Sequence, residues 1–136
     1  MNWRSEETHC VDAQPDPDSE IKTGDLVYLD RWLARPMAAY FNPSEAFAEF
    51  LGVAMQPSPR GSKAKIRVAT SGVFELKCEV TRDVWLGERA YPNELNSQMV
   101  KLNGFYPIGR AAKYGKAGDK TLYVSIRSRI MGYNIE

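Results

Sequence analysis

The sequence holds one histidine, His9, and it adjoins Cys10, one of only two cysteines; the other, Cys78, lies far along the chain. A metal centre needs three or four such ligands, and a redox pair needs two closely spaced thiols, so this pair supplies neither. With no further histidine, Ser-His or Cys-His catalysis would require His9 to fold back onto the rest of the chain. Both cysteines read as reduced thiols of a cytoplasmic compartment. The nearest approach to a phosphate loop is Gly109-Arg110-Ala111-Ala112-Lys113-Tyr114-Gly115-Lys116-Ala117. It has five residues between its glycines where a P-loop has four, Ala117 stands in place of the Ser/Thr that holds magnesium, and no helix follows. Glu75 and Glu79 share one face of an alternating segment with Lys77 between them, the pattern of a solvated strand face rather than of an acid/base pair. No catalytic residue, cofactor site or metal site is therefore expected.

The chemistry that remains belongs to surfaces. Arg110, Lys113, Lys116, Lys120, Arg127 and Arg129 are interleaved with Tyr106, Tyr114, Tyr123 and Tyr133. Cations among aromatics on a small β-barrel are one way to hold single-stranded nucleic acid, and this is the alternative functional reading. Against it stand a formal net charge of +1 and a pI near 7.7, low for such a domain, so nucleic acid is not the expected partner. The charge is polarised along the chain: residues 1–50 carry −6 and residues 96–136 carry +5. Such a distribution suggests that one end of the chain meets the other, within or between subunits.

Elements able to position these groups are mostly strands. Ile66 and Val68, then Phe74, Leu76, Cys78 and Val80, then Leu122, Val124 and Ile126 fall on alternate positions with polar residues between them, the period of half-buried strands. The longest apolar runs, Leu26–Leu29 and Met37–Phe41, fall far short of the ~20 residues that span a bilayer, and the first residues lack the apolar core of a secretory signal. Residues 1–20, with Pro15 and Pro17 among acids, read as an extended arm. Asn42-Pro43-Ser44-Glu45 offers a cap and a proline at a first helical position, predicting a two-turn helix with Phe47, Phe50 and Leu51 on its buried side.

Leu51-Gly52-Val53-Ala54 followed by Gly61 matches Ile108-Gly109-Arg110-Ala111 followed by Gly118, in both cases 57 positions on. Gly24-Asp25 and Gly87-Glu88 precede them in the same order. The expected fold is mainly β: one compact barrel or sandwich of two similar β-units, about 21–70 and 71–130, in a single domain of residues 21–136, with the extended arm and at most one or two short helices. Gly52 and Gly109 would permit close backbone approach.

Gly72-Val73-Phe74-Glu75-Leu76, Gly87-Glu88-Arg89-Ala90-Tyr91, Ile108-Gly109-Arg110-Ala111 and the closing strand Leu122–Ile126 together resemble the small capsid decoration, or cement, proteins of tailed bacteriophages. Gly24-Asp25-Leu26-Val27-Tyr28 and Leu51–Ala54 repeat the pattern, so the resemblance covers about residues 21–130. It differs in Glu88 for the family's Asp, in the segment between Asp30 and Leu51, and in the leader 1–20. The resemblance implies a non-enzymatic virion protein, assembled in the host cytoplasm, that binds the outer surface of a capsid and bridges major capsid protein subunits. In that setting Trp3 and Val11 are candidate apolar anchors of the arm. Its carboxylates, Asp16 and Asp18 among them, would face basic groups of the capsid, or Arg110, Lys113 and Lys116 of a neighbouring copy in a head-to-tail oligomer, a trimer being the expected form. Trp32, Met37, Tyr40 and Phe41 are too many large apolar groups for a free loop; they either make an apolar contact with a partner or cap the protein's own core.

Overall fold

The alternating segments pair as expected and more extensively. The computed structural model describes residues 8–39, 49–93, 95–104 and 106–130. Among the described residues nine strands form one mainly β, sandwich-like fold: β1 (His9–Pro15), β2 (Leu26–Asp30), β3 (Leu33–Pro36), β4 (Phe50–Ala54), β5 (Ile66–Lys77), β6 (Arg89–Pro92), β7 (Val100–Lys101), β8 (Gly109–Ala111) and β9 (Thr121–Arg127). A single 3-10 turn, Met37–Ala39, is the helical content of the described residues. The helix expected from Asn42 lies outside the described residues except at its end, where Phe50 and Leu51 belong instead to β4.

Strand order is β1-β3-β2-β4-β5-β9-β8-β6-β7, with β1 also paired to β5. The first five strands thus return on themselves through β5, which then continues as the first strand of the second unit. The two units match pair for pair. Val27 opposite Gly52 corresponds to Ala90 opposite Gly109. Ala54 opposite Val68 corresponds to Ala111 opposite Val124. Ala13 opposite Ile66 corresponds to Leu76 opposite Leu122. Even the parallel pairing of Gln14 with Leu33 has its counterpart in Lys77 with Met99.

From residue 9 onward this pairing differs from the extended arm expected over residues 1–20. Residues 1–7 lie outside the described residues, but residues 9–15 are the first strand of the first unit, equivalent to residues 72–78 of the second. Val11, Ala13 and Pro15 turn inward while Asp12 and Gln14 alternate with them. The acid that follows is also held: the Asp16 carboxylate is buried, lies 3.1 Å from Arg35 Nε and accepts the Ser19 hydroxyl at 3.0 Å. Pro15 is the last residue of a strand paired on both sides, by β3 and β5, and at a strand end the missing N–H is tolerated, so composition hid an ordinary strand.

The core divides in the same way. Ile21, Val27, Leu51, Ala54 and Val68 fill the first unit, with Val11 packed against them, and the equivalent Val84, Ala90, Ile108, Ala111 and Val124 fill the second. The opposite faces of β2 and β4 carry Leu26, Tyr28, Phe50 and Val53, which join the second unit's core together with Met37. Met37, 1% exposed, is therefore core and not a docking residue. Burial on both faces is what joins the units, and the joint is sealed by the Leu26 N–H to the Ser97 carbonyl at 2.6 Å and the Arg129 N–H to the Phe50 carbonyl at 2.8 Å.

Candidate interaction surface

Each unit contains a Gly-acid turn built in one way. The Lys22 N–H donates to the Asp25 carboxylate at 2.9 Å, and the Trp85 N–H to the Glu88 carboxylate at 2.8 Å. Gly24 and Gly87, at φ 95° and 91°, hold the position where a side chain would be strained. The backbone is the same, but the side chains at the tip are not: Lys22-Thr23 in the first unit becomes Trp85-Leu86 in the second. Trp85 and Leu86 are 63% and 72% exposed. The Trp85 ring leans on Tyr114, itself 49% exposed, with centroids 5.1 Å apart and planes tilted by 45°.

Local acids lock this end without neutralising all of it. The Ala117 N–H donates to Asp83 at 3.0 Å. That bond, and then the Tyr114 hydroxyl, hold the Asp83 carboxyl below its ordinary pKa, while the same contact pushes the Tyr114 phenol up. The Trp85 N–H, and then Arg82 at 2.9 Å, likewise hold Glu88 below the usual carboxylate value. Arg110 donates to the Gly87 carbonyl at 3.0 Å, which brings its guanidinium against the same turn. Lys113 sits 4.4 Å above the Tyr123 ring, and Arg129 lies 5.6 Å from the Tyr106 ring.

Of the residues singled out from sequence, Arg110, Lys113 and Lys116 are exposed near this turn, as is Asp18 on the other unit. Trp32 is 71% exposed in the β2–β3 turn. Asp16 is tied to Arg35, and Val11 packs against the first unit's core, so neither serves as a projecting contact. Trp3, Tyr40 and Phe41 lie outside the described residues. Sequence reasoning passed over Trp85, Leu86 and Arg89. The signal was present in the repeat itself: where the halves share a turn, the second places two large apolar residues that the fold does not need.

Among the described residues no group of three or more His, Cys, Asp or Glu could hold a metal ion, and no helix is long and apolar enough to cross a membrane. Neither the protein-family models nor the curated proteins give a match. Among solved structures, the chain is similar in fold to the N base of the head fiber gp8.5 in bacteriophage phi29. The TM-score is 0.53 at 11% sequence identity, and the match covers 90% of this chain and 95% of that one.

Proposed function

We propose that the chain is a non-enzymatic structural protein of a bacteriophage virion, seated on the outer surface of the capsid and stabilising it by bridging major capsid protein subunits. The observation that carries this reading is the fold likeness to the base of a phage head fibre, which runs nearly the full length of both chains. The motifs that resemble capsid decoration proteins point the same way. A rigid β scaffold bearing an exposed Trp-Leu-Tyr cluster beside arginines suits that work, since apolar and guanidinium groups supply much of the binding energy at protein interfaces. A protein that binds the assembled shell and not its separated subunits stabilises the shell by mass action, by about 2.7 kcal/mol per site at a concentration 100 times Kd.

The nucleic-acid alternative is less well supported, because Lys113 and Arg129 already lie over the faces of Tyr123 and Tyr106. Mass spectrometry of gradient-purified particles tests the reading: the chain is expected in stoichiometric amounts, and particles lacking it are expected to lose their genome at lower temperature. Its absence from particles overturns the reading.

A further inference from the structure

The two units present one equivalent outer face in different states. In the first unit Leu26 and Val53, directly opposite each other on β2 and β4, are buried beneath the second unit. The equivalent pair in the second unit is Arg89 and Arg110, again directly opposite, and both are exposed. Like charges directly opposed across strands weaken a sheet. Among the described residues neither arginine has a carboxylate within ion-pair distance, and Arg110 has only the Gly87 carbonyl. The nearby acids are already engaged: Glu88 by Arg82 and the Trp85 N–H, Asp83 by the Ala117 N–H, and Asp119 by the Lys116 N–H.

We propose that this end of the second unit, comprising Trp85, Leu86, Tyr114, Arg89 and Arg110, is the docking surface for an acidic patch with an apolar centre on another folded protein. Carboxylates of that partner meet the two arginines, and an apolar pocket receives Trp85 and Leu86. The proposal deepens the reading given above and rests on it, the partner being the capsid shell. Charge complementarity selects the occupant. Among the described residues the opposed guanidinium groups have no carboxylate counter-charge, and a bidentate carboxylate is the group that fits them. A protein fits better than a nucleic acid, because Trp85 and Tyr114 lean on each other instead of offering open faces for stacking, and an aliphatic Leu86 stands at the tip.

The test uses the full chain with Trp85→Ala/Leu86→Ser and Arg89→Glu/Arg110→Glu double variants. Each is co-sedimented with empty expanded capsids of the virus that encodes it and titrated with a dT20 oligonucleotide. All four substituted side chains are exposed, so melting temperatures are expected to stay within a few degrees of the parent. Arg89→Gln/Arg110→Gln replaces the charge reversal if it melts lower. Capsid affinity is expected to fall at least about ten-fold in each variant, with no dT20 binding by the parent. Undiminished retention of both variants overturns the docking surface and leaves the capsid reading standing. Failure of the parent to bind capsids overturns both. Tight dT20 binding that the variants lose overturns the choice of a protein partner.

Discussion

Gly52→Ala and Gly109→Ala should be equally and severely destabilising. A Cβ on Gly52 would overlap the Ala69 carbonyl oxygen and lie 2.8 Å from its carbonyl carbon; on Gly109 it would overlap the Ser125 oxygen and lie 2.9 Å from the Ile126 Cα. Carbon atoms rest at about 3.5–4.0 Å, so β4 must part from β5, or β8 from β9, by ~1 Å. The obstacle in each case is backbone held in a ladder, not the free end of a side chain. Overpacking of this kind costs about 3 kcal/mol, and a weakened ladder bond adds about 1 kcal/mol. For a domain of this length that lowers Tm by roughly 10 °C or more. Gly61→Ala and Gly118→Ala are the controls. They have open space around the Cβ and φ of 93° and 100°, so they incur only left-handed backbone strain, about 1–2 kcal/mol. Thermal melts followed by circular dichroism decide the matter. If Gly52→Ala melts no lower than Gly61→Ala, the close approach of β4 to β5 is not what that glycine serves.

Deleting residues 1–15 removes β1 and is expected to abolish cooperative unfolding of the first unit, visible as collapsed amide dispersion in NMR spectra; a truncated chain that melts like the parent would contradict the pairing of β1 with β5. Cys10 is exposed whereas Cys78 is buried and its thiol pKa is pushed up by that burial, so a thiol reagent at neutral pH should modify one site in the native protein and two after denaturation. Asp83 and Glu88 have folded pKa values below their ordinary ones, so their hold on the Trp85 turn is complete above the ordinary carboxylate pKa of about 4 and is lost as pH falls through the lowered values. Trp85 fluorescence, taken as the difference from Trp85→Phe, should therefore change on acidification below that point and stay constant from there to neutrality.

Strands whose side chains alternate cleanly, β5 and β9, were legible because one face is wet and the other dry. The spacing of 57 residues marked β4 and β8 and their glycines, whose close approach the structure shows. The first strand was not legible. Its inward residues, Val11, Ala13 and Pro15, are small or imino, and its acids suggested solvent, whereas Asp16 is held by Arg35 from the end of β3, a partner that no local pattern reveals. Without that strand the spacing alone starts the repeat near residue 21, whereas its first equivalent strand starts at His9. Met37 illustrates the same limit: an apolar run in an apparent insertion gives no sign of whether it covers a core or a partner, and here the second unit lies over it. The Trp85 turn lay in the reverse situation, visible only when the two halves are compared side chain by side chain.

Cryo-electron microscopy of purified particles with and without the gene for this chain is the most direct test of its assignment to the capsid surface. The expected result is added density at junctions between major capsid protein subunits, into which the two-unit β fold fits with the Trp85 end of the second unit facing the shell. Identical shells in both preparations would contradict the account.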